Sequence, residues 1–100
     1  MTRGATPTHT FTLPMEISSI KNFVISYAQN GKIVLNKTME ECEIEGDKIK
    51  VSLTQEETLR FSHSTKAEIQ IKFLTIEDKL IPTKIFETRV SRIINEEVLR

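Results

Sequence analysis

The segment Glu43-Ile44-Glu45-Gly46-Asp47-Lys48-Ile49-Lys50 constrains the fold more than any other stretch of this chain. A tight turn at Gly46-Asp47 sets Glu45 against Lys48 and Glu43 against Lys50, opposite charges on one face. The same register sets Ile44 against Ile49 and Cys42 against Val51 on the other face. A slip of one residue would carry charge onto the apolar side, so one hairpin register satisfies both faces.

Two further turns follow the same logic. Phe23 to Gln29 and Lys32 to Thr38 flank Asn30-Gly31, which tolerates the positive φ of a type I′ turn. That turn pairs Gln29 with Lys32, Ala28 with Ile33, Tyr27 with Val34 and Ser26 with Leu35. Both faces of this hairpin carry apolar residues, which reads as a central location. A turn at Asp78-Lys79 pairs Ile71 with Phe86, Ile69 with Thr88, Ala67 with Val90 and Glu68 with Arg89. Pro82 marks an edge or a bulge in the returning strand.

Thr8 to Leu13 alternates, with Phe11 and Leu13 on one face, and ends at Pro14. Met15 to Ile20 fits a short strand or an irregular link. Thr54-Gln55-Glu56-Glu57 has capping-box spacing and predicts one helical turn, with Leu59 and Phe61 folded onto the core. About seven short strands with regular turns predict an all-β fold, an immunoglobulin-like antiparallel β-sandwich with one short helical turn. The expected division is a flexible end over residues 1–7, a sandwich over 8–92 and a tail over 93–100. A continued strand, a short helix and a docked tail all fit Ser91 to Arg100.

The 38% hydrophobic content supports one core, and Lys plus Arg equal Asp plus Glu at 14 each. A zero formal charge gives no bulk field for nucleic acid or an anionic membrane. No apolar run approaches the roughly 20 residues of a membrane-spanning helix. The start lacks the apolar stretch of a signal peptide, so a cytoplasmic location is expected.

The residues give no reason to expect catalysis, a cofactor or a metal. His9 and His63 are the only histidines, one near the start and one in a polar loop. Cys42 is the only cysteine and is expected in the core. Asp47 and Asp78 sit at turns, and Glu40, Glu41, Glu43 and Glu45 read as an exposed strand face. Tyr27 is the aromatic residue expected to be partly exposed.

Self-association is the remaining signal, because an open sandwich must manage its edge strands. Phe11, Leu13, Tyr27, Ile93, Ile94, Val98 and Leu99 are the candidate interaction residues. Completion of the domain's own core is the competing reading for the apolar ends.

The run Lys48 to Thr54, then Leu59 and Phe61, then Glu68 to Phe73 and Ile85 to Val90 resembles the immunoglobulin-like N-terminal domain of phage baseplate upper proteins. Thr10 to Pro14 and Tyr27 to Lys32 resemble small uncharacterised proteins of phages and prophages of Firmicutes. The resemblance implies a non-enzymatic structural or accessory protein of a tail or baseplate. It implies synthesis in the host cytoplasm, assembly with itself or another phage structural protein, and a place in or beside the virion. A small module that recognises a host protein or carbohydrate through loops is the alternative.

Overall fold

The computed structural model describes residues 1–100. Eight strands form: β1 Thr8–Thr12, β2 Ile20–Gln29, β3 Lys32–Thr38, β4 Glu43–Glu45, β5 Lys48–Ser52, β6 Ala67–Thr75, β7 Leu80–Pro82 and β8 Phe86–Thr88. One helical turn, α1 Gln55–Leu59, joins β5 to β6. No helix is long and apolar enough to cross a membrane.

The strands form two antiparallel sheets, one ordered β1-β5-β4 and the other β3-β2-β6-β7, with β8 also pairing β6. The hairpin at Gly46-Asp47 and the first strand thus share one sheet, and the other two hairpins share the second. Read in chain order, β1 to β6 followed by β7 and β8 correspond to strands B, C, C′, D, E, F and G of an immunoglobulin fold. Thr2 bridges Ser91 in parallel, as a preceding A-type segment beside the last strand. The chain is an immunoglobulin-like β-sandwich, 46 × 29 × 16 Å over its Cα atoms.

Alternation builds the core. Phe23, Ile25 and Tyr27 of β2 and Ile69, Ile71 and Phe73 of β6 are buried against Ile49 and Val51 of β5. The Gly46 hairpin has the expected register, Glu43↔Lys50, Ile44↔Ile49 and Glu45↔Lys48. Its ion pair is diagonal, with Lys50 Nζ 2.8 Å from Glu45, while Lys48 donates to Thr12 Oγ1. Gly46 supplies the turn's positive φ of 62°.

Cys42 lies just outside β4, beyond the last ladder pair Glu43↔Lys50, and is half-buried against the core rather than fully inside it. Glu40 and Glu41 belong to a short 3₁₀ turn, Met39–Glu41, rather than to a strand face. The Glu41 carboxylate accepts from Thr38 N and Thr38 Oγ1, both at 3.0 Å, which closes the turn.

The Asn30-Gly31 hairpin pairs Gln29 with Lys32 and Ala28 with Ile33 as expected, then bulges between Tyr27 and Ala28. Tyr27 faces Leu35 rather than Val34, and Ser26 faces Asn36. The hairpin is not central as a unit: β2 is interior and β3 is an edge.

The third hairpin is shifted from the expected register, by three residues at β7 and by two at β8. The turn runs through Thr75 to Lys79, with Thr75 N donating to Lys79 O at 2.9 Å. Leu74 pairs Leu80, Ile69 pairs Phe86, Ala67 pairs Thr88, and Glu68 faces Glu87 rather than Arg89. The chain loops out after Pro82, where Thr83 N donates to Ile71 O and Thr83 Oγ1 accepts from Ile71 N.

Residues 1–7 do not trail. Arg3 donates to the carbonyls of Phe61 and Leu59, and Leu53 N donates to Pro7 O. The tail docks on the domain: the Gln55 side chain makes two hydrogen bonds with the Leu99 backbone, and Arg100 pairs with Glu56. These bonds satisfy backbone groups that would otherwise need water, which is why both ends are held.

Candidate functional site

The seven residues expected to form one interaction surface are dispersed. Leu13 and Tyr27 are core, at 7% and 0% exposure. Phe11 is half-buried, its ring 5.7 Å from Phe86. Ile93 packs at Gly4 and Leu59, and Val98 is half-buried. Ile94 and Leu99 are exposed on the tail.

Tyr27 instead cross-links the two sheets. Its hydroxyl lies 2.7 Å from Nδ1 of His9, which is on β1 rather than on a loose end. The Tyr27 ring also meets Phe61 edge-on at 5.9 Å. Many immunoglobulin domains join strands B, C and F with a disulfide and a Trp. This chain has one cysteine and no tryptophan, and His9 with Tyr27 links the strands equivalent to B and C.

Burial pushes the Tyr27 hydroxyl's pKa well up, so it keeps its proton. Burial, assisted by the positive N-terminus, pulls the His9 pKa below the ordinary imidazole value of 6.5. Neutral His9 and the protonated Tyr27 hydroxyl share one hydrogen bond at Nδ1, which a charged imidazolium would have to form with burial working against it. A depressed folded-state pKa means that the folded chain binds fewer protons than the unfolded chain as pH falls below about 6.5. Stability is therefore full above that pH and falls on acidification. Urea melts at pH 7.5 and pH 5.5 check this. The expected loss disappears in His9→Phe, and a wild-type midpoint unchanged between the two pH values would contradict it.

A second polar cluster lies where β3 meets α1. Lys37 is 6% exposed, and its Nζ is 2.8 Å from Glu57 and 3.8 Å from Glu41. Glu57 closes the Thr54 capping box, accepting from Thr54 N at 2.8 Å. Burial works to raise the Glu57 pKa, but Lys37 and Thr54 outweigh it and hold the carboxyl low. Burial, with the Glu41 charge, pushes the Cys42 thiol up, and Sγ donates to Thr38 O at 3.4 Å. No hydrogen bond joins Cys42 to a histidine, and no three His, Cys, Asp or Glu side chains are arranged to hold a metal. These groups build stability, and a protonated, raised thiol is a poor nucleophile.

The exposed chemistry is elsewhere, on the outer face of the five-stranded sheet. The bulge opposite Tyr27 and Ala28 makes Val34 the extra residue and turns Ile33 outward beside Ala28. Ile33 is 64% exposed. Across the sheet, the loop after Pro82 presents Ile85 at 53% exposure. Together with Ser26, Ala28, Glu68, Ile69 and Gln70 they line a shallow depression of about 210 Å³. Toward the other end of the same face, Val24, Leu74 and Leu80 line a second depression with Lys72 and Glu40. Ile33, Leu80 and Ile85 were missed in the sequence. The available signal was the apolar character of both faces of the Asn30-Gly31 hairpin, which reflects one covered and one open face.

No protein-family model matches the sequence, and no curated protein is similar to it in sequence. The structure is similar to a chain from the crystal structure of ICOS in complex with ICOS-L and an anti-ICOS-L VNAR domain, with 10% identity and TM-score 0.46 over 83% of this chain and 91% of that one. It is also similar to the V domain of amphioxus IgVJ-C2, with 10% identity and TM-score 0.39 over 93% and 97% of the two chains.

Proposed function

We propose that this chain is a non-enzymatic module that works by protein–protein assembly, using the outer face of its five-stranded sheet, with a second copy as first occupant. The observation that carries this is the exposure of Ile33, Leu80 and Ile85 on one sheet face at 64%, 61% and 53%. Large apolar residues gathered on a flat face mark interaction surfaces, whereas scattered ones need no explanation. The molecule's 46 × 29 Å face is broad enough for the ~800 Å² per partner of a standard interface. Zero formal charge removes long-range repulsion between copies. A structural or accessory role in a phage particle is the setting that the sequence resemblance supports for such assembly.

Light scattering across a concentration series tests the reading. Ile33→Asp and Ile85→Asp should keep the wild-type melting temperature, since neither side chain is core. Each should weaken self-association at least tenfold, or about 1.4 kcal/mol. A wild-type chain that stays monomeric at every concentration, or variants that associate as wild type does, would overturn it.

A further inference from the structure

The two-residue register shift at β8 has an electrostatic consequence. Glu68 faces Glu87, and two positions on, just past the last ladder pair Ala67↔Thr88, the same register brings Lys66 opposite Arg89. Like charges directly opposite on an antiparallel pair are destabilising. Neither cation is relieved inside the chain: Lys66 and Arg89 form no ion pair, although Glu68 and Glu87 lie diagonally beside them. Arg89 and Lys66 are both exposed, so each charge is open to a ligand arriving from solvent.

Both cations line one depression of about 290 Å³ with His63, Ser64, Thr65, Val90 and Ser91. It contains no carboxylate, whereas the other two depressions contain Glu68 and Glu40. Its walls are fixed from behind. The buried Gln29 side chain donates to the carbonyls of Ser62 and Thr65 at 2.7 and 3.0 Å and accepts from Ser62 N at 2.8 Å. The Arg89 to Ser91 backbone is held by Met1 and Arg3. Meanwhile the Thr65 and Lys66 amides donate no hydrogen bond within the chain. A preorganised hollow with two unpaired cations, hydroxyls and free amides has the donors that a phosphoryl group needs. Its volume far exceeds the roughly 30 Å³ of one water, leaving room for the molecule that carries the phosphate.

We propose that this hollow binds a phosphate group, free or as a monoester on a larger molecule. Lys66 and Arg89 supply the charge, and Ser64, Thr65 and Ser91 the hydroxyl donors. Titration of the ¹⁵N-labelled full chain with inorganic phosphate, then with phenyl phosphate, at constant ionic strength reads the binding. Saturating shifts are expected at the Thr65, Lys66 and Ser91 amides. Lys66→Gln, at an exposed position, should bind at least tenfold more weakly, and Arg89→Gln likewise. Lys79→Gln, in the turn at the far end of β6, should bind as wild type does. Tighter binding of the monoester identifies a phosphorylated molecule as the source, and equal or weaker binding identifies free phosphate. No saturable shift with either probe, or equal affinity in Lys66→Gln and wild type, overturns the proposal.

Discussion

Lys37→Ala should cost about 3 kcal/mol, the low end of the range for breaking a buried ion pair. Lys37 has an 8% exposed side chain between Glu57 and Glu41, whose side chains are 14% and 47% exposed. Removing it leaves the Glu57 carboxylate with Thr54 N and no cation, in a place with little access to water. The low end applies because Glu41 can turn to solvent. For a domain of this size the melting temperature should fall on the order of 15 °C. Lys37→Met keeps the apolar stem and should lose less, since much of a buried lysine's contact is made by its methylenes. A loss in Lys37→Ala below about 0.5 kcal/mol, the level of a surface change, would show that the pair contributes little.

Tyr27→Ala should cost more, about 4 kcal/mol, as expected for emptying a buried aromatic site. The ring is 0% exposed and meets both Phe61 and His9. Tyr27→Phe isolates the hydroxyl. It should cost roughly 1–2 kcal/mol, because it leaves His9 Nδ1 half-buried without its partner. Urea denaturation at pH 7.5 separates the two. Equal losses in Tyr27→Phe and Tyr27→Ala would assign the whole effect to the hydrogen bond and none to ring packing. A Tyr27→Phe chain as stable as wild type would remove the inter-sheet link from the explanation of the fold.

The sequence was most legible where two independent constraints met. In the Gly46 hairpin, charge and apolarity both fix the register, and the pairing matches. The grouping of strands into sheets also follows from the turns and the alternation. The last hairpin was misread at β8 because alternation is unchanged by a shift of two. Ile69 and Ile71 both face inward, so the apolar pattern cannot say which meets Phe86. Complementary charge favoured Glu68 with Arg89, and the structure places Glu68 with Glu87 instead. The five-residue stretch from Thr75 to Lys79 and the loop after Pro82 set that register, and both depend on tertiary bonds, Ile76 N to Ser19 O in the first and Thr83 with the Ile71 backbone in the second.

The candidate site was less legible than the fold for a related reason. Ile33 and Leu35 share parity in the sequence, so a regular strand would send both inward. The bulge separates them, leaving Leu35 6% and Ile33 64% exposed. A bulge of this kind carries no residue signature at Val34 that distinguishes it from a regular strand position. Tyr27 was misplaced for the opposite reason. Its polar hydroxyl suggested a partly wet position, but His9 satisfies it across the core.

The most direct test of the assembly face is residue-resolved dilution. Amide shifts of the ¹⁵N-labelled chain, recorded from high to low concentration, report which surface changes environment. Assembly through the outer face of the five-stranded sheet requires the changes to concentrate at Ala28, Ile33, Glu68, Gln70, Leu80 and Ile85. Changes confined to the tail around Ile94 and Leu99, or to β1 and β4 at the edges of the other sheet, would contradict it.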